Sequence, residues 1–370
     1  MQVFGGFRPD NAIDENRRAI GVYLDLESDI TDRLLVSAAV RYENYSDFGG
    51  NVSGKLVGRY KLTDALALRG GVNRGFRAPS LHQRFFSSVS TQVITVNGVN
   101  QQREVTTVRN DSDIARRLGV PSLRPETSLS YSVGATLGLG RALSVTVDAY
   151  QIDIDDRIVT SGRFSNTIPA LAQFFAGTNV TEAQFFTNAI DTRTRGLDMV
   201  ATSTNDLLDG RLTATVALNL NTTKIRGGAA GVRTPSQLVG FGETLLNREE
   251  RGRIEVNQPR SKVIGTLVYE TGPWLARAAV TRFGEITTVA PQLVEQDQTF
   301  SAKVVTDVSF AYRFSPAVQL QIGSNNFFDV YPDLVRDPRL TNDGTVPYSR
   351  FATQFGFNGA SYYAALDFKF

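Results

Sequence analysis

Apolar and polar residues alternate along most of this chain, a pattern typical of β-strands whose two faces meet different environments. In 143–149 every second residue is Leu, Val or Ala, and Ser, Thr and Asp lie between them. The last ten residues, 361–370, alternate in the same way and end on an aromatic residue. We predict about thirteen strands, most near the ~10 residues that a tilted strand needs to cross a membrane. The segments are 20–27, 34–43, 53–60, 66–73, 129–137, 143–149, 194–203, 212–221, 261–270, 274–283, 303–313, 317–325 and 361–370.

The connections between these segments are sorted by length. Tight turns alternate with long segments, and only the connection near 46–50 breaks the rule. A soluble β-sandwich has no reason to sort its loops in this way, whereas outer-membrane β-barrels have short turns at one end and long loops at the other. No apolar run approaches the ~18 residues of a membrane helix, so any membrane contact would be made by strands. The long segments are 81–126, 158–192, 227–259, 284–300 and 328–359.

The odd number of strands limits how this sheet can close. If all tight turns lie on one side, the first and last of thirteen strands run in the same direction. Bacterial single-chain barrels are antiparallel with an even strand number, so these two edges should not pair. The fold class is therefore predicted as all-β, an antiparallel transmembrane β-barrel fragment of about thirteen strands that forms an open half-barrel.

Aromatic residues gather at the tight-turn end of the predicted strands. An aromatic girdle at a membrane interface has this distribution, although β propensity alone also favours aromatic residues in strands. The residues are Tyr60, Tyr269, Trp274, Phe310, Tyr312, Phe314, Phe368 and Phe370.

Composition and charge argue against several classes of function. The 370 residues include 39 Lys and Arg against 37 Asp and Glu, which gives no sign of a nucleic-acid partner. With no cysteine and one histidine, His82, no Ser-His-Asp or Cys-His set can be assembled. Asp153, Asp155 and Asp156 lack the glycine and glutamate of a calcium loop, and we interpret them as a solvated strand end. We predict neither an enzyme nor a cofactor or metal site.

A run of seven residues carries a family resemblance. Gly75-Phe76-Arg77-Ala78-Pro79-Ser80-Leu81 resembles the "GFRAPSL" motif of TonB-dependent outer-membrane receptors. Leu123–Ser128, Thr194–Asp198 and Asn325–Pro332 follow in the family's order. The motif residues carried over are Gly75, Phe76, Arg77, Ala78, Pro79, Ser80, Leu81, Asn326, Phe328, Asp329 and Phe370.

The resemblance implies an importer of scarce nutrients such as ferric chelates, cobalamin or saccharides. Such receptors have a barrel of about 22 strands with a plugged lumen, and an inner-membrane complex energises them through an amino-terminal box. The match covers only the carboxy-terminal part of that architecture. We therefore expect 1–370 to be one domain fragment, without the plug, the first strands or the region that meets the TonB complex.

Polar residues on the inward row are the candidates for contact with a ligand or with the plug. Solvation of a watery lumen explains such a row equally well, and Gly75 and Pro79 could simply end a strand. The loops 81–126, 158–192 and 227–259 are further candidates, with phenylalanines at 85, 86, 174, 175, 185 and 186. The inward candidates are Arg41, Arg59, Arg69, Arg74, Arg77, Asn219 and Asn221.

The leading hypothesis is therefore uptake of a small-molecule nutrient across the bacterial outer membrane, with lipid around the apolar rows. A passive porin-like channel and a surface β-sheet adhesin are the alternatives. Conductance of the full-length protein would reveal a channel, and a monodisperse state in water without detergent would reveal an adhesin.

Overall fold

The computed structural model describes residues 11–96, 99–178, 180–290, 293–337, 347–349 and 353–369, with the backbone alone for 91–96 and 99–104. Phe370, which the sequence places in the closing strand and the aromatic girdle, lies outside the described residues.

Thirteen antiparallel strands form one sheet in chain order, as the alternation predicts. They are β1 (Ala19–Asp29), β2 (Leu34–Tyr45), β3 (Gly49–Lys61), β4 (Leu66–Arg77), β7 (Glu126–Leu139), β8 (Leu143–Thr160), β11 (Phe186–Leu207), β12 (Gly210–Ile225), β13 (Ser261–Thr271), β14 (Trp274–Phe283), β17 (Lys303–Ser315), β18 (Val318–Asn325) and β19 (Ser361–Phe368).

The described parts of the connections contain six further strands and five short α-helices. The strands are β5 (Ser88–Val96), β6 (Val99–Thr107), β9 (Phe164–Ser165), β10 (Glu182–Gln184), β15 (Ile286–Thr288) and β16 (Gln298–Phe300). The helices are α1 (Leu81–Phe85), α2 (Asp113–Arg117), α3 (Pro169–Phe175), α4 (Gly242–Leu245) and α5 (Arg248–Glu255), with 3₁₀ turns at Gly228–Gly231, Ser236–Leu238 and Val294–Gln296.

The strand register aligns the apolar rows into one continuous apolar face. Leu56 lies opposite Ala38 on β2 and Val72 on β4, and Val72 lies opposite Tyr131 on β7. The other face, the polar face, carries the charged and hydroxyl side chains. Nothing in the sheet covers the apolar face: Val133 is 64% exposed. The apolar rows therefore do not pack against each other as the two-layer core of a sandwich would.

Both edges of the sheet are open within the described residues. β1 pairs with β2 alone and β19 with β18 alone, and the two edge strands run in the same direction. The predicted open half-barrel is confirmed.

Turn lengths also follow the prediction. Six connections of two to four residues lie at one end, and the connections at the other end are long except for 46–48. The predicted loop 158–192 is too long, because β8 has 18 residues and β11 has 22, and their ends pair as far as Phe186 with Thr160. The tight turns are 30–33, 62–65, 140–142, 208–209, 272–273 and 316–317.

The helical turn α2 begins and ends as its sequence favours, with a serine before it and a glycine after it. Ala115 N donates to Ser112 Oγ at 3.3 Å, and Gly119 follows with a left-handed φ of +70°. The four residues 181–184 have the spacing of a capping box, yet they do not begin a helix. Glu182–Gln184 forms β10, which pairs in parallel with β6, so a tertiary contact overrides the local sequence signal.

Most of the buried hydrophobic residues lie in the long connections and at the loop ends of β8, β11 and β12. Phe164 and Phe185 are stacked at 5.5 Å between ring centroids, and both are fully buried. We call this cluster the loop core. Its members are Val108, Ile114, Ala115, Leu118, Val120, Phe164, Leu171, Phe175, Ala183, Phe185, Ala189, Ile190, Ile225, Leu238, Leu245 and Leu246.

Aromatic side chains meet at the tight-turn end of the apolar face, as predicted. The Trp274 ring lies 5.0 Å from Phe310 and 4.3 Å from Tyr312, and Tyr312 lies 4.8 Å from Phe314. None of the helices formed by the described residues combines the length and apolar character that a membrane crossing demands.

Candidate functional site

The polar face carries ion pairs that reach across an intervening strand. Lys55 Nζ lies 3.2 Å from Asp25 Oδ2, and Arg69 forms a two-pronged contact with Asp148. β7 separates β4 from β8, and Gly134 is the residue between Arg69 and Asp148 in the register. A Cβ at Gly134 would lie 2.1 Å from Asp148 Oδ1, so glycine is required for this contact.

Arg41 and Arg59 differ in their partners. Arg41 Nη2 donates to Glu43 Oε1 at 2.7 Å on its own strand. Arg59 lies directly opposite Arg69 in the register of β3 and β4, and no carboxylate within the described residues pairs with it. Two like charges opposite each other on a sheet repel, and only Arg69 has its charge balanced. Arg59 is therefore available to an anionic group from outside this sheet.

A shallow cavity of about 240 Å³ lies on the polar face of the first strands. Arg41 and Lys55 contribute its cations, and Asp25 contributes an anion. Tyr23 and Ser53 add hydroxyl groups. A cavity with both charges and hydroxyl donors suits a polar ligand group or a polar protein surface.

Asn219 and Asn221 belong to an amide network further along the polar face. Asn221 Nδ2 donates to Asn219 Oδ1 at 2.6 Å, and Asn219 Nδ2 donates to Asp198 Oδ1 at 2.5 Å. Tyr150 borders this network, and its ring covers Gly196, where a Cβ would lie 2.3 Å from the ring. The two asparagines thus sit close together, while Arg41, Arg59 and Arg69 lie on β2, β3 and β4.

Arg77 of the seven-residue motif holds the start of β7. Its guanidinium contacts both carboxylate oxygens of Glu126, with Nε at 2.9 Å and Nη2 at 2.6 Å. Glu126 is buried and also accepts from Ile158 N at 2.7 Å. Arg157 lies half-buried beside this pair, and the Glu126 carboxylate attracts its positive charge. This arrangement locks three strands together.

Arg74 does not face the same way. It lies opposite Gly54 on β3 and Leu129 on β7, which places it in the row of Val72 on the apolar face. The expectation that Arg74 and Arg77 both point to the inward row is therefore wrong for Arg74. The alternation of β4 already implies this, because Arg74 has the parity of Leu66, Leu68 and Val72.

The rest of the motif ends β4 and starts α1. Pro79 is buried, and its carbonyl oxygen accepts from Arg17 Nη2 at 2.7 Å. Ser80 and Gln83 form a capping box with two hydrogen bonds of 3.0 Å. Asp47 accepts from Arg17 and also contacts Arg84. Gly75, Phe76, Ala78 and Leu81 complete this turn from β4 into α1.

Residues 326–330 fix the direction of the chain after β18 ends. Asn326 and Asp329 have left-handed φ values of 52° and 54°, which Asn and Asp tolerate better than other side chains. Asn326 bonds to Val330 through both amide atoms, at 2.7 and 2.9 Å, and Ala360 N donates to Asp329 at 2.8 Å. Phe328 is 68% exposed between these anchored residues.

The remaining candidates from the sequence also have structural partners. Asp153, Asp155 and Asp156 pair with Arg193, Arg226 and Arg124. Within the described part of the chain, no three His, Cys, Asp or Glu residues come together as a metal site. His82 is exposed on α1. Of the loop phenylalanines, Phe175 and Phe185 are buried in the loop core.

A family model matches most of this chain. The model, described as TonB dependent receptor-like, beta-barrel, matches residues 1–327. The chain belongs to this family. Its members and structural relatives are receptors and transporters, and the family is one of the outer membrane. None of the curated protein sequences matches this chain.

Solved structures of the family share the fold. The siderophore receptor PirA from Acinetobacter baumannii aligns with a TM-score of 0.63 and 17% identity, over 96% of this chain and 46% of PirA. A mutant of the ferric enterobactin receptor PfeA from Pseudomonas aeruginosa gives 0.65 and 17%, over 95% and 45%. The copper transporter OprC gives 0.60 and 16%, over 96% and 48%. This chain thus spans about half the length of these structures.

Sequence reasoning missed the contacts that join distant segments. The Arg77–Glu126 pair is one, although both residues lie in motifs that the sequence singled out. The Arg17–Asp47–Arg84 cluster is another, and the spacing of its members gives no local signal.

Proposed function

We propose that this chain forms the carboxy-terminal barrel sheet of a TonB-dependent receptor that imports a scarce nutrient across the bacterial outer membrane. A ferric siderophore or a similar metal chelate is the favoured cargo, because the named structural relatives are siderophore receptors and a copper transporter. The single observation that carries the proposal is the division of one sheet into an exposed apolar face and a charged polar face. This division fits a wall between lipid and a watery lumen. The chain would act as wall and binding surface, and we assign it no catalytic role.

Within this proposal, the inward cations have two roles. Arg41 and Lys55, which line the cavity on the polar face, would contact an anionic or polar cargo. Arg59, which lacks a carboxylate partner among the described residues and lies near the tight-turn end of β3, would contact a plug domain. Arg69, Asn219 and Asn221 would keep the polar face hydrated and rigid through their bonds within the sheet.

Binding to the intact protein in detergent tests this proposal, with ferric enterobactin as the probe in calorimetry. The double variant Arg41→Gln, Lys55→Gln should raise the Kd about tenfold, since two charge-assisted contacts are lost. Arg33→Gln, in the tight turn 30–33, is the matched control and should bind like the wild type. Equal affinity of all three proteins would overturn the assignment of this cavity.

Uptake into cells that lack other iron receptors tests the transport step. Uptake that depends on the TonB complex supports a receptor. A steady conductance without energisation would instead indicate the porin-like channel, and a monodisperse state without detergent would indicate the adhesin.

A further inference from the structure

The polar face of the sheet is divided into a charged sector and a nearly neutral one. On β2–β4, which we call the charged sector, it carries Arg41, Lys55, Arg59 and Arg69. On β11 and β12 it is formed by the even-numbered residues of 194–204 and the odd-numbered residues of 213–223. We call these residues the hydroxyl strip, because most of them are threonine or asparagine and none is lysine or arginine.

The hydroxyl strip runs along most of the length of its two strands. Near the long loops Thr194 lies opposite Thr223, and beside the tight turn 208–209 Thr204 lies opposite Thr213. From Thr194 to Thr204 the strand extends about 33 Å, which a tilt of about 40° reduces to about 25 Å in height. The apolar band of an outer-membrane barrel has about this height. In the proposed barrel, the strip therefore connects the two sides of the membrane.

Hydroxyl groups on the strip satisfy one another across the two strands. Thr194 Oγ1 and Thr223 Oγ1 share a hydrogen bond of 2.8 Å. Thr202 and Thr215 share one of 3.2 Å, and a third pair follows beside the tight turn. Each pair still offers one O–H donor and several lone pairs to water. A polar group that passes the strip thus exchanges its water contacts for hydroxyl contacts of similar strength.

The charged sector would bind a passing anionic group more tightly. Lys55 Nζ lies 3.2 Å from Asp25 Oδ2, and Arg59 has no carboxylate partner among the described residues. Hydrogen bonds with an ionised partner are roughly twice as strong as neutral ones, so an anionic cargo would stay at these cations. The strip has one charge, Asp198, and the Asn219 amide donates to it at 2.5 Å. A carboxylate repels an anionic cargo and does not retain it.

Side chains in the middle of the strip are also short. Val200 lies opposite Ala217, and the next pair toward the tight turn is Thr202 with Thr215. Such side chains extend less far from the sheet than the arginines and the lysine of the charged sector. The strip therefore leaves more room in the lumen than the charged sector does.

We propose that cargo crosses the barrel along the hydroxyl strip, and that Thr202 and Thr215 set the width of this path. The proposal rests on the proposed function, in which a cargo passes a plug domain inside the barrel. The charged sector binds cargo and plug, and the hydroxyl strip lets the cargo move past them. A conducting path needs both continuity from side to side and contacts weak enough to release what enters it. The strip has both properties.

Uptake of radioactive ferric enterobactin into cells that make the intact protein tests the width of the path. The tryptophan double variant, Thr202→Trp with Thr215→Trp, should lower the uptake rate about tenfold, because two indole rings fill the space beside the strip. Its Kd for ferric enterobactin should stay within about twofold of the wild type, since the cavity that binds it lies on β1–β4. Thr202→Ser with Thr215→Ser keeps both hydroxyl groups without added bulk and should take up iron like the wild type.

Ala201→Trp is the matched control for the fold. Ala201 precedes Thr202 on β11 and lies on the apolar face, opposite Val216. A tryptophan there faces away from the lumen, so uptake should be unchanged. Equal uptake by the tryptophan double variant and the wild type would overturn the proposal. An equal loss with Ala201→Trp would also overturn it, because the loss would then not depend on the lumen side of the strand.

Cysteine labelling tests the division into two sectors. This chain contains no cysteine, so Thr215→Cys marks the strip and Val57→Cys marks the charged sector, where Val57 lies opposite Ser37 and Gly71. Any cysteine elsewhere in the intact protein is replaced by serine. A water-soluble maleimide should label position 215 about fivefold faster while ferric enterobactin is being taken up, and position 57 at an unchanged rate. Equal acceleration at both positions, or none at 215, would contradict the proposal.

These experiments separate the path from the proposed function. If the wild type takes up iron with the TonB complex and the tryptophan double variant does so equally well, the path fails and the receptor proposal stands. If the wild type instead conducts ions without energisation, the receptor proposal fails. A conductance that falls in the tryptophan double variant and not in Ala201→Trp would then still support the path.

Discussion

Val133 in the sheet is 64% exposed, whereas Phe164 in the loop core is fully buried. Both residues belong to one chain. The sheet exposes its apolar side chains, however, whereas the loop core buries them. The loop core folds like a small water-soluble domain, with apolar residues inside and ion pairs around them. The sheet instead keeps its apolar residues on an open face, as a sheet that meets lipid in the proposed barrel would do. The difference is what we expect if the two regions are built for two solvents.

The largest loss of stability is expected from a substitution inside the loop core. Phe185→Ala should cost about 3–5 kcal/mol of the free energy that holds the long connections together, because it leaves a cavity beside Phe164. Hydrogen exchange of 108–120 and 164–190 in the intact protein measures this, and the sheet amides should keep their protection. Phe328→Ala, at an exposed position, is the control and should change neither region. Loss of protection throughout the sheet would mean that the two regions are not independent.

A charge on the apolar face is the next largest effect. Val216→Arg should cost about 2–4 kcal/mol if the position meets the middle of a bilayer. Thr215→Arg, one residue away on the polar face, should be much milder, because that side is watery in the proposed barrel. Urea unfolding of the intact protein in lipid vesicles gives both values. Equal tolerance at 215 and 216 would remove the basis for two solvents.

The alternation predicted the sheet well because lipid and water impose opposite demands on neighbouring residues. Thirteen strands, the sorted turns and the open edges all follow from that local pattern. The loop core could not be predicted in this way: Phe164 meets Phe185, and β10 pairs with β6 across 77 residues from Thr107 to Gln184. Such contacts depend on the folded positions of the strands that carry the loops.

The candidate site shows the same limit. The alternation placed Arg41, Arg59, Arg69, Asn219 and Asn221 on one face, and the register agrees. Arg74 was misassigned although its own parity gave the answer. The role of Glu126 could not be predicted, because Arg77 and Ile158 approach it from two different strands and no local sequence pattern reveals such contacts.

A smaller loss of stability is expected where the sheet meets the long connections, at the contact of Arg77, Glu126 and Ile158. Glu126→Gln should cost about 1.5–3 kcal/mol, because Arg77 and the half-buried Arg157 lose their nearby carboxylate. Thermal unfolding of the intact protein measures the loss. Asp113→Asn removes a pair with Arg116 that is about 70% exposed, and this control should cost less than about 0.5 kcal/mol. A similar cost for both variants would show that the buried Glu126 carboxylate does not hold the junction.

The smallest effect is a pH dependence in the connection between β18 and β19. Partial burial raises the pKa of Asp333, but the Lys303 ammonium at 2.5 Å and two donors from Ser301 lower it further, to about 2. A carboxyl group with a lowered folded pKa adds stability above its unfolded value near 4, and this contribution is lost as the pH falls from 4 to 2. Solvent screens this partly exposed pair, so the loss should be below about 1 kcal/mol.

Comparison of wild type with Asp333→Asn isolates that carboxyl group from the others that titrate in the same range. The stability difference between the two proteins should be constant from pH 7 to pH 5 and should shrink toward zero by pH 2. Since Lys303 lies at the loop end of β17, amide exchange at 303–305 should follow the same curve while exchange in the loop core does not. A difference that is unchanged at pH 2 would mean that the Asp333 carboxylate contributes nothing to anchoring this connection on the sheet.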